Sequence, residues 1–151
     1  MPTTVNLIAQ GTLTTLLSTE LNSVGNNAYS TLGAAFNNVF ATLNFQGYPL
    51  ADIMLNLAAY TGTPVVGSYI GVWFIPAIDG ANYDNAGTTI SVGPDAIIPV
   101  DALASGPYQR TITCKLPFGL FKTLAYNNGT GITLAASANT IKIRPKSYQS
   151  Q

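Results

Sequence analysis

Catalysis near neutral pH usually relies on a side chain that titrates there, and the commonest such residue, histidine, is absent from the 151 residues. Acid and base work would fall to carboxylates. The closest pairs are Asp79 with Asp84 and Asp95 with Asp101, each in a stretch rich in Gly, Pro or Asn. Two carboxylates across a cleft would suit a glycosidase, and Asp79, Asn82, Asp84 and Asn85 offer the hard oxygen ligands of a calcium loop. Their spacing does not follow the helix-loop-helix calcium motif, however. Both pairs also stand where Asp is favoured because its carboxylate bonds the local backbone, so turns are the expected reading. The lone Cys114 lies in the alternating run Arg110-Thr-Ile-Thr-Cys-Lys-Leu116 with no histidine to activate it, and is expected to pack as a small strand residue. It cannot form a disulfide within the chain. No phosphate loop, dinucleotide fingerprint or metal-ligand spacing is present, so the chain is expected to work without a catalytic site, cofactor or metal.

Residues suited to binding are easier to find. Trp73, Tyr69, Tyr83 and Tyr108 could form an aromatic platform for a sugar or a partner. Trp73 is mid-strand, where core packing explains it better, and Tyr83, in a polar loop, is the more credible surface contact. The basic segment Lys142-Ile-Arg-Pro-Lys146 is a candidate reaching element, with Lys142, Arg144 and Lys146 as contact residues. Asp79 and Asp84 are the acidic counterparts. Every acid (Glu20, Asp52, Asp79, Asp84, Asp95, Asp101) precedes every base (Arg110, Lys115, Lys122, Lys142, Arg144, Lys146). If the two halves lie on different faces the subunit is a dipole, able to dock head to tail or on an acidic partner; if strand pairing mixes them, the split has no consequence. Six bases over forty residues, without an Arg cluster, make a poor nucleic-acid footprint.

These residues sit on a chain long enough for one core and one domain. Its charged fraction of 8% is far below the usual quarter or so, while 47% is apolar. The surface must be polar without being charged, and a chain with so little repulsion tolerates dense assembly. The start Met-Pro-Thr-Thr lacks the basic region of a signal peptide, and no apolar stretch approaches membrane-spanning length, so a soluble protein made in the cytoplasm is expected. Gly, Pro and Asn recur every eight to fifteen residues between short β-branched and aromatic runs, which predicts an all-β sandwich or barrel. Residues 1 to 10 read as an extended N-terminal arm, with the sandwich domain over 11 to 151. Strands are expected at about Thr12 to Val24, Val39 to Phe45, Ile53 to Tyr60, Ser68 to Ile75, Thr88 to Val92, Ala96 to Leu103, Gln109 to Leu116, Leu120 to Tyr126 and Thr140 to Ile143. Leu13, Leu16, Leu17 and Leu21 in the first also match a helical spacing. Ser68 to Ile75 is apolar on both faces and should be central in its sheet. Asn127-Asn-Gly-Thr-Gly131 reads as a hairpin turn with positive φ. Eight or more strands suggest a jelly roll, although periodicity alone does not separate it from an immunoglobulin-like sandwich.

The segments Leu16-Leu-Ser-Thr-Glu-Leu-Asn-Ser23, Val72-Trp-Phe-Ile-Pro-Ala-Ile-Asp-Gly-Ala-Asn-Tyr83 and Tyr126-Asn-Asn-Gly-Thr-Gly131 resemble a family of small structural proteins of tailed bacteriophages, over most of the chain from Leu13 to Ile143. None of these segments is a catalytic signature. Within that group the resemblance implies a capsid decoration, or cement, protein: a compact β domain, often a jelly roll and often a homotrimer, that binds the major capsid protein on the outside of the virion head. It implies no enzyme activity and neither nucleic acid nor membrane as partner. A tail or head-fibre component and a carbohydrate-binding module are the competing expectations.

Overall fold

The computed structural model describes residues 5–39, 47–77, 79–83, 90, 92–100 and 106–150. The chain is a β-sandwich of two antiparallel sheets. The strands are β1 (Val5–Gln10), β2 (Thr14–Leu17), β3 (Ala28–Tyr29), β4 (Phe36–Asn38), β5 (Leu50–Leu57), β6 (Tyr69–Pro76), β7 (Ala96–Pro99), β8 (Tyr108–Lys115), β9 (Gly119–Asn128) and β10 (Thr140–Ser150). In sheet A, β1 and β2 share one edge of β10, followed by β5 and β8. In sheet B, β3 and β4 share one edge of β9, followed by β6 and β7. Strands therefore pair from the chain ends inward: β1 and β2 with β10, β3 and β4 with β9, β5 with β8, β6 with β7.

Side-chain alternation explains why these segments are strands. In β5, Ala51, Ile53, Leu55 and Leu57 point inward and Leu50, Asp52, Met54 and Asn56 outward. Ile141 and Ile143 of β10 meet Ile70, Val72 and Phe74 of β6 and Phe121 of β9 in one continuous core. Each Ile or Leu fully buried there contributes about 2 kcal/mol. β6 is buried over six consecutive positions because sheet B is covered on both faces, as its apolar pattern requires. On the outside Trp73, Ile75 and Leu124 form a second cluster with Tyr29, Leu32, Tyr83, Ile90 and Tyr126. The Trp73 ring lies across Gly71, where a Cβ would stand 3.0 Å from it.

Four expectations need correction. Val5–Gln10, expected within an arm, is instead an edge strand, paired with the far end of the chain from Gln10 opposite Lys146 to Val5 opposite Ser150. Lys142 to Lys146 is no reaching tail but the middle of β10, bonded to β5 from Thr140 to Lys146. The first expected strand stops at Leu17 and gives way to a turn of 3-10 helix at Thr19–Leu21. That change of period lets Leu16, Leu17 and Leu21 all reach the core while Leu13 stays exposed. The segment from Asn127 to Gly131 is no hairpin turn. Gly129 and Gly131 do have positive φ, but the chain leaves β9 in sheet B for β10 in sheet A. Of the expected strand from Val39 to Phe45 all but Val39 lies outside the described residues, as does most of Thr88 to Val92.

Crossings between sheets leave backbone groups without ladder partners, and three buried asparagines take them up. The Asn38 amide donates to the carbonyls of Tyr48 (2.8 Å) and Pro117 (2.7 Å), and its oxygen accepts from the Tyr48 N–H (2.9 Å). Gly47 fits beside it because a Cβ there would meet the Asn38 carbonyl. Asn127 shares its amide N–H groups among the carbonyls of Val24, Gly25 and Ile132 and accepts from the Thr130 hydroxyl. Asn139 accepts from the Ala58 N–H and donates to Ala135 and Asn22. The Thr123 hydroxyl, by contrast, is buried in the core with no partner among the described residues. Asn38→Leu should therefore lower unfolding free energy by about 3 kcal/mol, through the orphaned Tyr48 and Pro117 groups, whereas Thr123→Val should raise it by about 1 kcal/mol, both read by urea titration.

Candidate functional site

The outward face of sheet A carries four of the chain's six bases, Lys115, Lys142, Arg144 and Lys146, together with Asp52. The register places Lys146, Leu50 and Lys115 in one row across β10, β5 and β8, then Arg144, Asp52 and Thr113, then Lys142, Met54 and Thr111. Alternate residues along a strand lie about 7 Å apart and neighbouring strands about 5 Å, so these rows form a compact patch. Lys115 and Arg144 are exposed and Lys142 half-buried.

Lys146 departs from the expected contact residue. It is 7% exposed and pairs with Asp52, and it also donates to the Thr113 hydroxyl at 3.0 Å. Thr113 in turn donates to the same Asp52 oxygen at 2.6 Å. Burial raises the Asp52 pKa, but the hydrogen bonds from Lys146 and Thr113 and the charges of Lys146 and Arg144 together outweigh it and hold the carboxyl below its ordinary 3.8. Strand pairing thus mixes acid and base here despite their separation in sequence.

The other described carboxylates accept from backbone N–H groups, Glu20 and Asp79 locally and Asp95 across to β6. Asp79 accepts from the N–H groups of Ala81 (2.9 Å) and Asn82 (2.7 Å) and from the Asn82 side chain, which bring its pKa down to about 2. It is the turn residue expected. Asp95 accepts from the Phe74 N–H at 2.7 Å and Glu20 from the Ser18 N–H at 2.8 Å. Asp84 and Asp101 lie outside the described residues, so neither carboxylate pair is on view. Among the described residues no group of three His, Cys, Asp or Glu could hold a metal ion. Cys114 is buried, and burial, reinforced by Asp95 and Asp52, pushes its thiol up to about 12.

A cluster of aromatic residues lies on the opposite side, over sheet B. Tyr29 packs on Tyr126 with ring centres 4.5 Å apart and on Trp73 at 5.8 Å. Trp73 donates its indole N–H to the Val92 carbonyl at 3.0 Å and is 7% exposed, so it is a packing residue and not an open platform. Tyr83 is half-buried against this cluster with the Lys122 ammonium 4.6 Å from its ring centre. Tyr108 donates its hydroxyl to the Pro99 carbonyl, tying the β8 edge of sheet A to the β7 edge of sheet B. At the β7 edge, exposed Val66 and Ile97 flank a shallow recess with Tyr69 and Pro99.

The structure therefore groups Lys142 and Arg144 with Lys115, which the sequence reading did not single out, and sets Tyr83 and Asp79 elsewhere. The period-2 pattern of β8 places Lys115 opposite Cys114 in facing, but only the β5 pairing brings it beside β10. Comparisons of the chain with family models, curated proteins and solved structures find no match. Among the described residues no helix is long and apolar enough to cross a membrane.

The stability owed to the ionised Asp52 is fully present above its ordinary pKa of 3.8 and is lost as pH falls through its lower native value. Lys146→Met should cost about 2 kcal/mol at neutral pH. The deficit relative to wild type should shrink as urea titrations are taken below pH 3.8.

Proposed function

We propose that this chain is a virion structural protein of the capsid-decoration type, a jelly roll that binds the outside of a bacteriophage head and stabilises its major capsid protein, acting without catalysis or a cofactor. The observation that carries the reading is the strand order. With β1 and β2 counted as one interrupted strand, and β3 and β4 as another, the first strand lies beside the last, the second beside the second-last, and so on inward. One long antiparallel hairpin rolled into two sheets has this order, which is that of the jelly roll found in capsid and lectin domains. The resemblance of the Leu16, Val72 and Tyr126 segments to tailed-phage structural proteins points from that fold to the virion.

The surface chemistry supports the same reading. A decoration protein needs broad contact surfaces, and this one has the outward face of sheet A, rich in Lys, Arg and Thr, on one side and exposed apolar Val65, Val66 and Ile97 near the β7 edge. That edge suits contact between copies of the chain, as in a homotrimer. The covered indole of Trp73 disfavours a sugar-stacking module. The test is co-sedimentation with shells assembled from a tailed-bacteriophage major capsid protein of the same source. Saturable binding at a fixed number of copies per shell is expected. A chain that stays in the supernatant at every concentration, while light scattering shows a monomer, would contradict the reading.

A further inference from the structure

We infer that the outward face of sheet A is the surface that lies on the shell, and that the patch it meets there is an acidic protein surface. The inference rests on the decoration reading and adds which face docks and what chemistry receives it. Lys115, Lys142, Arg144 and Lys146 share that face with one carboxylate, Asp52, which Lys146 pairs with. Among the described residues, four bases against one carboxylate leave this face with three positive charges in excess, in a protein whose charged fraction is only 8%.

The partner's class follows from what surrounds these charges. Thr111, Thr113 and Thr140 present short polar side chains between them, which leaves the face level enough for a protein surface to lie against. Where the three strands pair, over Thr140–Lys146, Leu50–Asn56 and Gln109–Lys115, no outward position among the charges is aromatic, so the patch itself offers no stacking platform for the bases of a single-stranded nucleic acid. Three charges also make a small counterion footprint for duplex DNA. A second copy of this chain is a poor complement: the described carboxylates Glu20, Asp79 and Asp95 bond their own backbone and Asp52 its own lysine. Among the described residues no carboxylate is left to complement the face, and we assign the complementary acid to another protein. Opposite charges across such an interface act mainly on orientation and encounter, which a cement protein settling onto a repeating lattice requires.

The test is shell co-sedimentation at low and high salt with wild type, the double variant Lys142→Glu/Arg144→Glu, the neutral pair Lys142→Gln/Arg144→Gln, and Lys122→Glu on sheet B. Wild type should bind more weakly as salt rises. The Glu pair should bind at least about tenfold more weakly at low salt, the Gln pair should fall between, and Lys122→Glu should match wild type. Unchanged melting of the Gln pair keeps misfolding from mimicking the effect. Wild-type binding that survives in the Glu pair would overturn the inference and leave the decoration reading standing; wild type that never binds shells would remove both. Retention of wild type by duplex DNA as tightly as by shells would also overturn it.

Discussion

The structure depends on satisfying backbone hydrogen bonds where the chain passes from one sheet to the other. A sandwich whose strands pair from the chain ends inward must cross between sheets repeatedly, and each crossing carries N–H and C=O groups past an apolar core. Asn38, Asn127 and Asn139 meet that need with side chains that imitate a strand edge, offering an acceptor and two donors from a short, stiff stem. Each ties together segments remote in sequence: Asn38 reaches Pro117, Asn127 reaches Val24, Asn139 reaches Ala58. With these groups bonded, Ile53, Leu55, Val72, Phe121, Ile141 and Ile143 can close the core above and below them.

The same economy governs charge. With so few ionisable groups, where each stands matters more than their sum. The described carboxylates are used structurally, for turns, a strand N–H and the Asp52–Lys146–Thr113 cluster, whereas Lys115, Lys142 and Arg144 line an outer sheet face. Asp52 and Lys146 stabilise the centre of that face by an ion pair in which the lysine is nearly buried. Removing one partner strands the other, which makes the pair a determinant of the β5–β10 register as well as of stability.

Much of the strand content was legible because period-2 alternation is a local property. Ile70, Val72 and Phe74 against Trp73 and Ile75 announce a strand covered on both faces, and β5, β8 and β9 lie close to where their patterns put them. What was not legible is long-range. Nothing near Val5 reveals a partner at Ser150, so the edge strand reads as an arm. Lysine and arginine at alternate positions of Thr140–Lys146 suggest a solvated tail until Asp52, far back in the chain, supplies the partner that buries Lys146. The asparagines were least legible of all. In sequence, Asn38, Asn127 and Asn139 look like any polar turn residue, and only the assembled sandwich separates them from Asn82, whose side chain merely completes an exposed turn.

The most direct measurement of this account is amide hydrogen exchange at Tyr48 and Ala58, two residues outside the strands whose N–H groups donate to the side chains of Asn38 and Asn139. If buried amide side chains secure the crossings, both should exchange as slowly as core strand amides such as those of Ile53 and Val72, through the same global opening. Exchange of Tyr48 and Ala58 at the rate of exposed loop amides would show that the asparagines do not hold the crossings, and would contradict the account.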